Sequence, residues 1–134
     1  MRTYMPHYQR YGLASQRYQE LRAFCLQYPI WKAEAASLLG VSSSRLSGMP
    51  HGSGVGDPVA RAAERREKLL EKISLVESVA RSVDDGRWYA VLIQNCCLGK
   101  GLAMIDPVIL PTSNRNAYYV ARRAFYLALD ELKN

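Results

Sequence analysis

Residues 57–86 read DPVARAAERREKLLEKISLVESVARSVDDG, and this stretch decides the fold. It begins with Asp57 as a helix N-cap and with Pro58 at the first helical position, where the missing backbone donor of proline is harmless. Apolar residues then recur at helical spacing, namely Ala62, Leu69, Ile73, Val76, Ala80 and Val83. We therefore predict one long central helix over residues 58–86, ending at the Asp-Asp-Gly sequence.

The residues before this helix predict a linker and a helical hairpin. Four glycines and Pro50 fall between residues 48 and 56, so residues 48–57 form a linker that cannot hold a helix. Further upstream, the apolar spacing predicts a first helix that ends before Pro29 and a short second helix from Pro29 onward. Gly40 is placed to cap the second helix in the left-handed conformation. Residues 1–47 are therefore expected to form an N-terminal helical hairpin.

The residues after the central helix predict a C-terminal lobe over residues 87–134. Residues 88–98 are apolar around most of the helical wheel, which predicts a buried helix that ends at Gly99 and Gly101. Residues 102–111 contain two prolines and leave room for at most one helical turn. Because strand-like alternation is nearly absent along the chain, we predict an all-α fold.

The last helix, residues 113–132, has two contrasting faces. One face is expected to pack against the protein and consists mainly of small residues: Ala117, Ala121, Ala124, Phe125, Ala128 and Leu132, with Val120 and Leu127 at its margin. The opposite face carries Arg115, Tyr119, Arg122, Tyr126 and Lys133, flanked by Tyr118 and Arg123. Thr112, Ser113 and Asn114 are potential N-caps that follow Pro111 and give the helix an abrupt start.

This arginine and tyrosine face is a candidate surface for binding nucleic acid. Arginine binds phosphate bidentately and reads guanine in the major groove, while tyrosine hydroxyls add phosphate contacts. Helices without any ligand also expose arginines and pack tyrosines at their edges, which is the alternative interpretation. The candidate DNA-binding residues are Ser113, Asn114, Arg115, Asn116, Tyr119, Arg122, Arg123 and Tyr126.

Charge favours a polyanionic partner. The chain has 134 residues, a formal net charge of +6 and a pI near 9.4. Subtracting acidic from basic residues gives +4 for residues 1–50 (six less two), −1 for 51–86 (six less seven) and +3 for 87–134 (six less three). The sequence has no run of about 20 apolar residues and no signal-peptide core, so we expect a cytoplasmic protein with no membrane contact.

No arrangement of residues in the sequence is typical of an enzyme. The three cysteines, Cys25, Cys96 and Cys97, lack the spacing of a zinc site, and His7 and His51 stand far from each other. The glycines of the linker match neither a dinucleotide-binding loop nor a Walker loop. We therefore expect no catalytic residues, no metal and no cofactor.

The C-terminal residues resemble a known family. A helix over residues 88–98, the turn at Gly99, a short element at residues 102–105, the cap at Ser113 and a final arginine-rich helix are similar to the region of sigma factors that reads the −35 promoter element. With the tyrosine-rich first helix and the linker before Asp57-Pro58, residues 14–132 look closer to the phage late-gene transcriptional activators of the ArpU and RinA type. Pro107 and Pro111 depart from the family's regular second helix, so the helix-turn-helix is degenerate.

The resemblance implies a phage or prophage transcription regulator in the bacterial host cell. Such a protein would place its last helix in a major groove of double-stranded DNA and contact host RNA polymerase. Residues 113–116 would read the bases, and Tyr119, Arg122, Arg123 and Tyr126 would contact the backbone. Two alternatives remain open, namely a packaging protein like the terminase small subunit and a module that inhibits a host nucleic-acid enzyme by binding protein. The stripe of the central helix allows packing on the N-terminal hairpin or on a second copy in a homodimer.

Overall fold

The computed structural model describes residues 13–45 and 57–133. For residues 41–45 it describes the backbone alone. All regular structure in these two ranges is helical, so the predicted all-α class is confirmed. Four α-helices are longer than one turn: α1 (Ser15–Leu26), α2 (Tyr28–Arg45), α3 (Pro58–Ser82) and α5 (Arg115–Lys133). A short helix, α4 (Tyr89–Leu92), lies between α3 and α5. Most of the predicted linker, residues 48–56, lies outside the described ranges.

Helices α1 and α2 are separated by the single residue Gln27. Pro29 stands in the first turn of α2, where no intrahelical partner for its nitrogen is needed. The prediction that Gly40 ends this helix is wrong, because α2 continues through Gly40 to Arg45. A glycine inside a helix costs only about 1 kcal/mol relative to alanine. That cost alone is not enough to end a helix.

Helix α3 confirms the predicted cap and the predicted stripe. The backbone N–H of Val59 donates to Asp57 Oδ1 at 2.9 Å. All six residues of the stripe are buried, and Val79 joins them. The helix ends at Ser82, four residues before the predicted end, and a 3₁₀ turn (Val83–Gly86) follows. The reason is that Asp84, Asp85 and Gly86 all have positive φ, which a right-handed helix cannot contain.

The predicted buried helix over residues 88–98 consists of α4 and a π-helical turn (Ile93–Cys97). The Leu98 N–H reaches the Ile93 carbonyl at 3.0 Å, five residues back. Gly99, with φ of +74°, then ends the segment as predicted. Two 3₁₀ turns (Leu102–Met104 and Pro107–Ile109) follow, where the sequence predicted at most one turn. The sequence predicted a degenerate helix-turn-helix here, and the structure has these two short turns between the π-helical turn and α5.

Helix α5 begins after Asn114, whose Oδ1 accepts from the Asn116 N–H at 3.0 Å. Its buried residues are Tyr118, Ala121, Phe125, Tyr126 and Leu129. The predicted packing face is therefore only partly right, because Ala124 is exposed and Val120 and Leu132 are 53% and 65% exposed. An aromatic side chain buries about 150–250 Å². Burying tyrosine and phenylalanine therefore outweighs burying alanine, and the helix is rotated toward its aromatic side.

The chain forms two compact units, which are described separately. The first contains α1, the end of α3 and residues 83–133. Its core includes Leu21, Cys25, Val91, Phe125 and Leu129, each completely buried. Arg17 of α1 forms an ion pair with Asp130 of α5, and the Tyr18 and Tyr126 rings meet edge to face at 5.2 Å. Helix α1 thus packs with the C-terminal residues, a contact that the sequence did not predict.

The second unit contains α2 and the first part of α3, over residues 28–75. Its buried residues include Trp31, Ala35, Leu69 and Ile73. The Arg66 Nε donates to the carbonyl of Ala35 at 3.1 Å, and Arg65 forms an ion pair with Glu34. In both units taken together, no helix among the described residues has the length and apolar content needed to cross a lipid bilayer.

Candidate nucleic-acid interface

The start of α5 places four of the predicted DNA-binding residues on the surface. Ser113, Asn114, Arg115 and Asn116 are all exposed and form the N-cap and the first turn. Thr112 Oγ1 accepts from the Asn114 N–H at 3.3 Å, so a second side chain fixes the entry into the helix. The first turn therefore presents a short cluster of amide and guanidinium groups from an ordered backbone.

The structure removes Tyr126 from the predicted interface. Its side chain is 3% exposed and lies edge to face with Phe125 at 5.2 Å. Burial raises the pKa of the Tyr126 phenol, and the same is true of Tyr118. A side chain sealed in the core cannot contact a phosphate. The prediction that Tyr126 binds the DNA backbone is therefore wrong, because this residue belongs to the aromatic packing face.

Arg122 is half-buried and held by aromatic rings. Its guanidinium carbon lies 4.9 Å from the ring centre of Tyr119 and 5.8 Å from that of Tyr118. Its Nη1 lies 3.5 Å from Asn95 Oδ1, at the outer limit of a hydrogen bond. These contacts orient the guanidinium but do not neutralise it. Within residues 13–45 and 57–133, neither Arg122 nor Arg115 has a carboxylate at ion-pair distance.

The outward face of α5 includes one residue, Val120, that the sequence did not assign to the interface. Asn116, Val120 and Arg123 follow one another at spacings of four and three, so they share one side of the helix. Val120 is exposed and Arg123 is half-buried. The sequence placed Val120 at the margin of the packing face and thus missed it. Choosing the aromatic residues as the packing face would have placed Val120 on the outside.

A cavity of about 280 Å³ lies between the two 3₁₀ turns and the first turns of α5. Its apolar wall includes Leu102, Ile105 and Leu110, and its polar wall includes Asn114 and Arg115. The first turn of α5 is consequently supported by short turns and borders open space.

The cysteines of this unit are structural. Cys25, Cys96 and Cys97 are free and buried. Burial raises the pKa of Cys96 to about 11, and the pKa of Cys25 is also raised, first by its hydrogen bond with Cys97 and then by burial. Thiols held in the protonated form are poor nucleophiles and poor metal ligands. Across the described residues, no group of three or more His, Cys, Asp or Glu side chains is arranged to hold a metal ion.

No protein-family model, curated protein or solved structure matches this chain. Its function therefore has to be inferred from the geometry and the charge of the molecule itself.

Proposed function

We propose that this protein binds double-stranded DNA through α5 and acts as a regulator of transcription. The observation that carries the proposal is the basic character of the first half of α5. Residues 113–129 contain three arginines and no acidic residue. Arg115 and Arg122 have no ion-pair partner among the described residues. A helix with this charge is attracted to phosphate, and the major groove of DNA is wide enough to accept it.

The residue types on the exposed part of α5 suit the edges of bases. Asparagine pairs bidentately with adenine, arginine pairs with guanine, and an apolar side chain contacts the methyl group of thymine. Asn116, Val120 and Arg123 offer these three contacts along one side of the helix. We assign base contacts to this row and phosphate contacts to Arg115 and Arg122. Tyr126, which the sequence included, takes no part.

The resemblance to phage late-gene activators supplies the biological setting of the proposal. On this view the protein acts in the cytoplasm of a bacterial host, on phage or prophage promoters, with host RNA polymerase as a second partner. The two 3₁₀ turns cannot supply the helix N-terminus that anchors phosphate in a regular helix-turn-helix. Affinity would then depend on side chains more strongly than in complete members of that fold.

The test is a fluorescence-anisotropy titration of the full chain with duplex DNA at several salt concentrations. The two assigned phosphate contacts, from Arg115 and Arg122, predict a slope of roughly −2 in the double-logarithmic plot of affinity against salt. Replacing Arg115 by alanine should weaken binding about fivefold and reduce the magnitude of the slope by about 0.9. Arg61→Ala on α3 is the matched control, because Arg61 is also an exposed helical arginine, and it should leave binding unchanged.

The mass of the protein is measured on the same sample. A monomer or dimer that binds duplex DNA supports the regulator, whereas a ring of many subunits would point to DNA packaging. Absence of duplex binding at physiological salt would overturn the proposal and favour a module that binds an acidic protein surface.

A further inference from the structure

Asn95 connects the turn after the π-helical segment to α5. Its Nδ2 donates to the carbonyl oxygen of Lys100 at 2.7 Å. Its Oδ1 accepts from the Tyr118 hydroxyl at 2.6 Å and lies 3.5 Å from Arg122 Nη1. One side-chain amide thus joins the backbone of Lys100 to the guanidinium of Arg122.

The backbone of Lys100 is fixed on both sides. Its N–H donates to the Gln94 carbonyl at 3.0 Å, and its own carbonyl accepts from Asn95. The preceding Gly99 has φ of +74°, so the turn has a defined direction. The Lys100 side chain is exposed, and no carboxylate of the described residues lies at ion-pair distance from it. The amide of Asn95 therefore joins the Arg122 guanidinium to the backbone from which the Lys100 side chain extends.

We propose that Lys100 and Arg122 together bind one backbone phosphate of the nucleic acid. This inference rests on the proposed function, and it adds a contact from outside α5. The Arg122 guanidinium, stacked on Tyr119 and oriented by Asn95, keeps N–H groups available for phosphate oxygens in a fixed plane. Lys100 adds a compact charge on a flexible four-carbon stem that extends from the anchored backbone. The pair supplies the phosphate anchor that the two 3₁₀ turns cannot provide.

The geometry also separates two kinds of residue at this site. Arg122 and Lys100 contact the phosphate directly. Asn95 is a positioning residue, because its amide contacts the Arg122 guanidinium and fixes the backbone of Lys100 without reaching the ligand. Like-charge repulsion between the two cations is relieved when the phosphate binds, so the site favours an anion with two accessible oxygens.

The test compares Lys100→Gln with Lys68→Gln, an exposed lysine of α3. Lys100→Gln should weaken duplex binding about fivefold with little change in the salt slope, because Arg122 still neutralises the shared phosphate, and removing both cations should reduce the magnitude of the slope by about 0.9. Lys68→Gln should change neither the affinity nor the slope. In the Arg122→Ala background, Lys100→Gln should weaken binding by clearly less than fivefold, since both side chains share one phosphate. Asn95→Asp should weaken binding further than Lys100→Gln, because its carboxylate competes with the phosphate for both cations.

The outcomes distinguish this site from the proposed function. If Arg115→Ala weakens binding while Lys100→Gln leaves the affinity unchanged, DNA binding stands and the shared phosphate site is wrong. Equal, fully additive losses for Lys100→Gln and Arg122→Ala would assign them to separate phosphates and would also overturn the shared site. If the unaltered protein does not bind duplex DNA, both proposals fail together.

Discussion

Helices α3 and α5 both carry several basic residues, but they differ in the number and position of the acidic residues nearby. In α3, four glutamates are interleaved with the basic residues, and Arg65 also pairs with Glu34 of α2. In α5, the acidic residues are confined to Asp130 and Glu131 near the end, and Asp130 is engaged by Arg17. In the first half of α5, Arg115 and Arg122 have no ion-pair partner among the described residues. The contrast teaches how to recognise a surface that binds anions. The absence of carboxylates around the basic residues is a better indicator than the number of basic residues on the helix.

The buried faces of the two helices differ as well. The face of α3 is aliphatic and needs no hydrogen bonds, whereas the face of α5 contains Tyr118 and Tyr126. Buried hydroxyls require partners. The Tyr118 hydroxyl finds one in Asn95 Oδ1 and lies 3.7 Å from Cys96 Sγ. In α5, the packing of Tyr118 and the orientation of Arg122 are therefore coupled through Asn95. The aliphatic face of α3 has no such coupling.

The largest effect should come from the packing face of α5. Phe125 is completely buried, so Phe125→Ala should lower the free energy of unfolding by about 3–5 kcal/mol. Val120→Ala, on the exposed side of the same helix, should change it by less than about 0.5 kcal/mol. Urea unfolding of the two variants measures both values. A loss for Val120→Ala as large as that for Phe125→Ala would restore the face that the sequence predicted, which contained Phe125 and had Val120 at its margin.

The second effect concerns pH and should arise from the buried phenols of α5 and from the thiol of Cys96, which contacts Tyr118. Burial raises the pKa of Cys96 to about 11 and also raises those of Tyr118 and Tyr126. Above about pH 9, the unfolded chain loses these protons while the folded chain keeps them. Stability present below pH 9 should therefore fall as pH rises, by about 1.4 kcal/mol per pH unit for each group that ionises only when unfolded.

Urea unfolding at pH 8 and pH 11 measures this loss, and Tyr126→Phe is the matching variant. Because phenylalanine does not titrate, the loss between the two pH values should be smaller in this variant. An identical loss in both proteins would show that Tyr126 does not contribute to the alkaline sensitivity.

The third effect separates the outward faces of the two helices. Val120→Glu places a carboxylate in the middle of the proposed DNA surface and should weaken duplex binding at least about tenfold, which corresponds to about 1.4 kcal/mol. Leu70→Glu on α3 makes the same change at another partly exposed position and should leave binding unchanged. Anisotropy titrations at one salt concentration test the pair. Equal weakening by both would mean that net charge, not the face of α5, controls affinity.

The smallest effect compares the two helix caps. Asp57 Oδ1 and Asn114 Oδ1 accept from the second residue of their helices at 2.9 and 3.0 Å. Replacing either residue by alanine should lower the free energy of unfolding by about 1 kcal/mol. Only Asn114→Ala should also weaken duplex binding, because Asp57 caps α3, which is not part of the proposed DNA surface. If Asn114→Ala destabilises the protein but binds DNA normally, the first turn of α5 is a structural cap and nothing more.

The sequence was most informative where local signals were sufficient. The start of α3, its aliphatic stripe and the end of the α4 segment at Gly99 all follow from capping, spacing and glycine chemistry. The start of α5 was predicted for the same reason. The rotation of α5 was not, because the helical wheel counted alanines as equal to aromatics and treated Tyr118 and Tyr126 as polar. Tyrosine has an apolar body and a polar tip, so its placement depends on the available partners.

Features that depend on distant residues were beyond the reach of sequence patterns. The location of α1 is determined by contacts such as Tyr18 with Tyr126, which no local spacing encodes. The π-helical turn and the role of Asn95 likewise depend on neighbours brought together by the fold. Of the candidate site, the exposed first turn was predicted, whereas Val120, Asn95 and Lys100 were not.

The pairing of α1 with α5 has a consequence for biosynthesis. Arg17 and Asp130 are separated by 113 positions, and the whole second unit lies between them in the chain. Helix α1 therefore leaves the ribosome long before its partners are made, and α2 with the first part of α3 can fold in the meantime. Closing such a long loop is slow relative to forming local contacts. During that interval Leu21 and Cys25 have no core to enter, which makes the nascent chain dependent on protection from aggregation.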